Sequence, residues 1–347
     1  MKQTNTPLSI GYTIPGEGQL SFVELVKRYQ NHIGEVYFAF PGAASGRSPL
    51  GEETGFVDYD AVYQLVEDLS GIAAMGVKLH LLFNAACYGE DALSVAHRNQ
   101  VYSIMNYLDS KGLYPQGVTT TSPITAQILK QEDPELELRA SVNMRIASIK
   151  GIQYVEHLFD GFCVSKDVNR DRENLLAMAE YLHSNGKKIS VLANSGCLRN
   201  CSMQTFHDNA VAHEAEIRTK ANIEGAVPAG CWQFLSKPEN YTAFLQNTWI
   251  RPEDLHHYDG VADIIKLATR MHSLPMVVVD AYARRRYHGN LADLFEPGHS
   301  RLFSPWVVDN DRFPEDWYDK TSNCNKDCTK CNYCEKVRKQ VFILPQM

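Results

Sequence analysis

The chain of 347 residues has no run of eighteen or more apolar residues, so a helical membrane span is excluded. Its opening, M-K-Q-T-N-T-P-L-S-I, lacks the apolar stretch of a secretory signal. The expected location is therefore the cytoplasm, with no membrane association. Positive charge is scarce: 34 Lys and Arg stand against 41 Asp and Glu, a net charge of -7. That excludes a strongly basic nucleic-acid surface and confines any RNA contact to a local patch. No G-x-G-x-x-G follows the first strand, and neither H-E-x-x-H nor G-x-S-x-G occurs anywhere. Dinucleotide-fold, zinc-protease and serine-hydrolase signatures are thus missing. Residues 300–347 carry neither an internal repeat nor a low-complexity run. What is present is cysteine, nine in all, four of them between positions 324 and 334. An odd number, crowded at one end of a chain expected in a reducing compartment, suits metal ligation better than a disulfide framework.

At 44% hydrophobic content the chain has enough apolar residues for one large buried core or two modest ones. Short β-branched and aromatic runs alternate with amphipathic stretches. Strands are expected at 8–13, 36–40, 78–84, 117–121, 136–142, 160–165, 188–194 and 263–268, with early helices at 21–30 and 58–74. The run M-V-V-V-D-A-Y-A at 276–283 suits a strand, but Ser273 as an N-cap and Pro275 in the first turn favour a helix over 274–287. Eight β-α units predict an α/β fold of TIM type, a (β/α)8 barrel spanning 1–299. Residues 195–250 are too long for one connection and are expected to form an insertion over the barrel mouth. Residues 300–347 form a Cys-rich tail.

The tail spacing is C-x3-C-x2-C-x2-C, through Cys324, Cys328, Cys331 and Cys334. Structural zinc usually draws on two separated Cys pairs, whereas such close gaps are typical of [4Fe-4S] ligation; zinc at the tail stays as the alternative. A second set begins where the seventh strand ends, in A-N-S-G-C-L-R-N-C, with Cys197 and Cys201 facing the mouth where barrel active sites are built. Cys231, in P-A-G-C-W, lies in the same insertion and can fold back beside them. Cys87 and Cys163 read more simply as small core residues at strand ends.

Polar groups at strand ends, Asn84, Asn143, Lys166 and Asn194, stand where a barrel presents side chains to substrate. His207 and His213, with Glu214, follow the thiol pair on a helix beginning near Gln204, where a histidine can relay a proton or simply face solvent. Lys266 and Arg270, on and just past the eighth strand, are cations suited to a carboxylate or phosphate. The run Arg284-Arg285-Arg286 is explained by the dipole at a helix C-terminus.

Together L-L-F-N-A-A-C-Y-G at 81–89, R-A-S-V-N at 139–143, V-S-K-D-V-N-R-D-R-E-N-L at 164–175, N-S-G-C-L-R-N-C at 194–201 and R-P-E-D-L with I-I-K-L-A-T-R within 251–270 resemble the U32 peptidase-like family. That family is named for proteases and includes oxygen-independent iron-sulfur hydroxylases of RNA and of quinone precursors. The resemblance implies that Cys197, Cys201 and Cys231 hold a [4Fe-4S] cluster and that the fold is the barrel already expected. It also implies a small-molecule or nucleobase substrate, oxygen supplied by a metabolite, and a partner subunit of the same family. The chain departs from the family in lacking its extra cysteine pair and in carrying Thr269 at a usual glycine. The fourth ligand is therefore open: the tail donates a thiolate such as Cys324, or it holds a second cluster of its own. The leading expectation is an iron-sulfur redox enzyme with Asn84, Lys166, His207 and Arg270 around the reaction. A radical S-adenosylmethionine enzyme, a U32-type peptidase and a non-catalytic zinc-stabilised binding protein are the alternatives.

Overall fold

The computed structural model describes residues 5–41, 43–45, 58–214 and 229–345, so residues 215–228 of the expected insertion lie outside the described residues. Eight parallel strands follow one another around a closed barrel: β1 Leu8–Gly11, β2 Ile33–Ala39, β3 Lys78–Phe83, β4 Gly117–Thr120, β5 Glu137–Ala140, β6 Gly161–Cys163, β7 Lys188–Leu192 and β8 Ile264–Leu267. β1 closes the ring by pairing with both β2 and β8. Helices such as Tyr59–Ala74, Val95–Ser110 and Arg172–Ser184 return the chain along the outside. Their starts are written locally: Ser21 and Glu24 form a capping box, and the side chains of Asp58, Ser94 and Ser122 each accept from a backbone N–H in the first turn.

The valine-rich run is a helix, Pro275–Arg284, as the proline suggests. Its N-cap is Leu274 rather than the expected Ser273, and no side chain caps it. Pro275 removes one orphan N–H and fixes φ, which suffices to start the helix. Arg284 and Arg285 do more than face the helix dipole: they pair with Asp280 at 2.6 Å and with Asp259 at 2.5 Å.

The barrel interior is polar. Outward-facing Ile10, Val36, Phe38, Leu81, Val118 and Leu138 are all fully buried against the helices. Inward-facing positions carry Ser9, Glu35, His80, Thr119, Arg139, Ser190 and Lys266, every one of them at least nine-tenths buried. Arg139 on β5 grips Glu35 on β2 with bonds of 2.6 and 3.0 Å, and these strands are not neighbours, so the pair spans the interior. Ser9 donates to the same carboxylate at 2.7 Å, and the His80 ring stands 3.7 Å away while bonding Thr119 at 2.7 Å. Toward the strand N-termini, a cavity of about 210 Å³ opens beside Glu35, His80, Glu137, Arg139 and Lys188. It lies at the end of the barrel opposite the one where active sites are built, which argues for stability rather than chemistry there.

Residues 300–345 are firmly folded. They form helices Ser300–Phe303, Trp317–Ser322 and Tyr333–Val341, and β9 Val307–Val308 pairs antiparallel with β10 Phe342–Ile343. Fully buried Trp249, just before β8, lies flat against Phe295 and Trp317 at ring distances of 5.2 and 5.9 Å. Tyr241 stacks on Phe342 at 5.3 Å. Each such ring contributes about 1.5–3 kcal/mol by leaving water, and together they fasten the tail to the segment before β8.

Candidate functional site

The loop after β7 holds Cys197 and Cys201 in a clamp. Asn194, fully buried, donates to the carbonyls of Ala268 and Leu294 and accepts from the Ala268 N–H. The Gly196 N–H donates to the Glu296 carbonyl at 2.9 Å, and the Gly196 carbonyl accepts from Asn247 and His299 at 3.0 and 2.8 Å. Only glycine fits at 196, since a Cβ there would stand 2.1 Å from the Pro297 carbonyl oxygen. The buried Lys166 ammonium donates to the Leu198 carbonyl at 3.1 Å and pairs with Asp167 at 2.8 Å. Lys166 thus faces the thiol loop from the end of β6 and is engaged in holding it.

Cys231, on the helix Gly230–Leu235, is buried beside this pair. Burial, and then the sulfurs of Cys197 and Cys201, push its thiol up to about 11. The structure therefore brings together the three cysteines expected to act as a set. Such a thiol is protonated near neutral pH until a metal cation draws the proton off. The helix Gln204–Ala212 carries His207 and starts three residues past Cys201, tied to the loop after β5 by Arg145 bonds to Thr205 and Asp208. His213 is its C-cap.

The tail thiols form a second set. Cys324, Cys328, Cys331 and Cys334 line one small cavity with Lys326 and Tyr333. An adjoining cavity is shared by Cys324, Cys328 and Cys334 with Arg170, Arg199 and Lys326. No disulfide joins any of the described cysteines. Burial pushes Cys334 up to about 11, with Arg170 acting the other way and the three other tail sulfurs reinforcing the rise.

Two arginines that the spacing argument does not single out join the sets. Arg199, between Cys197 and Cys201 in sequence, donates to the Cys328 sulfur at 3.5 Å. Arg170 is 5% exposed and sandwiched near Trp249 and Trp317, 4.1 and 4.9 Å from the ring centres. Two of its nitrogens donate to the carbonyls of Trp249 and Leu245, whereas buried Nη2 has no partner among the described residues. Burial lowers Arg170 to about 10, so it stays charged. A buried cation beside four thiols suits an anionic occupant.

Among the described residues, no group of three or more His, Cys, Asp or Glu side chains is arranged to hold one metal ion. A four-iron cluster takes one thiolate at each iron, so its ligands stand apart rather than meeting at a point. The all-sulfur donor sets, the second with cations at its floor, fit such a cluster in chemistry.

The remaining expected residues lie at the strand ends as the barrel requires. Asn84 follows β3, its carbonyl accepting from Asn143 at 2.9 Å while its own buried amide oxygen has no partner among the described residues. Arg270, past β8, acts electrostatically on Tyr37 and Lys266 inside the mouth. Cys163 is fully buried on β6 and acts on Lys266 as well.

No family model matches the chain. The chain is 26% identical over 324 residues to an uncharacterized protease of Methanocaldococcus jannaschii, MJ1657, with 91% of each chain covered. In solved structures, the U32 peptidase Mk0906 matches with a TM-score of 0.52 and 15% identity, covering 77% of this chain and 95% of that one. The sequence match runs along nearly the whole length of this chain, and the solved U32 peptidase shares its barrel fold.

Proposed function

We infer that the protein is an iron-sulfur redox enzyme, similar to the oxygen-independent hydroxylases of the U32-like family, acting on a small molecule or nucleobase in the barrel mouth. The observation that carries this reading is the pairing of two all-thiol sets through Arg199, one set on the clamped loop at the carboxyl end of β7 and one in the tail. Cys197, Cys201 and Cys231 would hold one cluster and Cys324, Cys328, Cys331 and Cys334 another. Bound there, a cluster with three protein thiolates offers one iron as a Lewis acid, and a cluster with four favours electron transfer. The chain's own part is to fix and charge-balance those sites. Lys166 and the Gly196 clamp hold the first loop still, and Arg170 and Arg199 offset negative charge at the second. Cys231 acts chiefly with Cys197 and Cys201, and Cys334 with the three other tail sulfurs, which favours two sites over a tail thiolate shared with the mouth.

The test is iron, acid-labile sulfide and zinc content of protein purified without oxygen. It is compared with Cys197→Ala/Cys201→Ala and Cys328→Ala/Cys331→Ala variants. About eight irons in the parent, with about half lost in each variant, is the expected result. About four irons, lost in both variants, would mean one shared cluster. Zinc without sulfide would refute the redox reading and favour the zinc-stabilised binding protein. Metal-free protein that cleaves peptides would favour the activity for which the relatives are named.

A further inference from the structure

Among the described residues, the Lys266 amine has no ion-pair partner. It lies on β8, inside the barrel and toward the mouth, and is 8% exposed. Among the described residues its ammonium makes neither a hydrogen bond nor an ion pair, and it rests on the face of Tyr37, 4.1 Å from the ring centre. That seat is built. The Tyr37 hydroxyl crosses above β1 to donate to the Leu267 carbonyl at 2.7 Å. The crossing exists because residue 11 is glycine: a Cβ there would stand 2.7 Å from the Tyr37 ring. The groups that act electrostatically with the amine are Cys163 from β6, Arg139 from β5, Glu35 from β2, His80 from β3 and Arg270 from the segment after β8, and the Tyr37 ring of β2 lies against it. Glu35 is already taken by Arg139.

A buried lysine without an acidic partner destabilises the fold that keeps it. The same desolvation makes its amine a nucleophile at physiological pH. Burial lowers Lys266 to about 8, so roughly a tenth of the molecules carry the neutral amine at pH 7.

We propose that Lys266 forms an imine with an oxo acid, a ketone or aldehyde bearing a carboxylate, bound in the barrel mouth with its carboxylate toward Arg270. The nitrogen lone pair attacks the carbonyl carbon and a C–N bond forms. The carbonyl oxygen then leaves as water, both of its protons coming from the nitrogen by way of solvent at the mouth. Carbon keeps its oxidation level, and no oxidant or reductant is required. The imine goes beyond the cluster reading and does not depend on it, because iron takes no part in the bond.

The experiment uses the full chain, with pyruvate as the probe and sodium cyanoborohydride to reduce any imine, followed by peptide mapping by mass spectrometry. The expected result is a reduced pyruvate adduct on Lys266, about tenfold or more above the mean surface lysine. Labelling should rise from pH 7 to pH 9 and vanish in Lys266→Met and in Lys266→Arg. The arginine variant keeps the positive charge and so separates imine formation from simple anion binding. Labelling spread evenly over the surface lysines, or absent from Lys266 at both pH values, would overturn the proposal. So would equal labelling of the Lys266 peptide in the presence and absence of pyruvate. Iron content does not enter the readout, so failure here leaves the cluster reading standing.

Discussion

Replacing Arg139 with methionine removes the cation that neutralises a carboxylate in the middle of the barrel. Glu35 and Arg139 are 3% and 4% exposed, and two bonds of 2.6 and 3.0 Å join them. Without the guanidinium, Glu35 retains the Ser9 hydroxyl at 2.7 Å and the His80 ring at 3.7 Å. Breaking such a pair from one side costs about 3–5 kcal/mol, because the remaining buried charge loses its ion-pair partner. Replacing both partners is far milder, so Glu35→Gln/Arg139→Met should lose much less than Arg139→Met alone. Glu137 keeps Lys188 at 2.5 Å in either case.

The pH dependence gives a second, independent handle. In the parent, burial pushes the Glu35 carboxyl up, but the charge of Arg139, the His80 ring and the hydrogen bonds from Arg139 and Ser9 outweigh it. The group sits far below the usual carboxylate range. Its stabilisation is therefore complete above the unfolded value, about 4.3, and is lost as pH falls through the lower folded value. In Arg139→Met burial dominates and the sign reverses. The folded value rises above the unfolded one, so the variant regains stability as pH falls from 8 toward 5. Urea unfolding of parent, both single variants and the double variant at pH 5, 6, 7 and 8 measures this. An Arg139→Met deficit below about 1 kcal/mol, or one that does not shrink on acidification, would refute the buried-pair account.

Lys266→Met should raise stability by about 3 kcal/mol at pH 7, less roughly 1 kcal/mol for the lost cation–ring contact. The folded lysine sits near 8 against an unfolded value of about 10.4, so its penalty is complete below pH 8 and disappears above about pH 10.5. Thermal melts at pH 7 and 10 check this, and an equal gain at both would contradict it. Burial, and next the charge of Arg139, bring His80 down to about 3, so it stays neutral in the folded barrel while the unfolded chain takes up a proton. Between about pH 6.5 and 3 that one group should remove about 1.4 kcal/mol per pH unit, a slope that His80→Gln flattens by one proton in a pH series of melts. Trp249→Ala should cost about 3–5 kcal/mol and release the tail, visible as faster proteolysis within residues 300–345.

The barrel was legible because alternation between β-branched runs and amphipathic helices survives in a single sequence. Each expected strand overlaps an observed one, although β2 begins at Ile33, three residues before the expected start. The grouping of Cys197, Cys201 and Cys231 was also legible, since strand-end position and short spacing are both written along the chain. Arg170 was not: its place beside Cys334 depends on the tail folding back across Trp249, a contact between positions far apart in sequence. The polar barrel axis was missed for another reason. Strands such as K-L-H-L-L-F and I-I-K-L look buried as runs, and their single polar residues signal the interior only once the closed barrel assigns alternate positions to it. Ser273 failed as a cap because Pro275 starts the helix without one.

The charged and hydroxyl-rich axis also governs how the barrel responds to heat. Unfolding an aliphatic barrel exposes only apolar surface from its interior, whereas here it also hydrates Glu35, Arg139, His80 and Lys266, and polar exposure lowers the heat-capacity change. A smaller heat-capacity change flattens the curve of stability against temperature. Meanwhile the dehydration penalty of the Glu35–Arg139 pair falls as water hydrates ions less favourably on warming. The axis is thus least favourable in the cold, and its contribution improves as temperature rises.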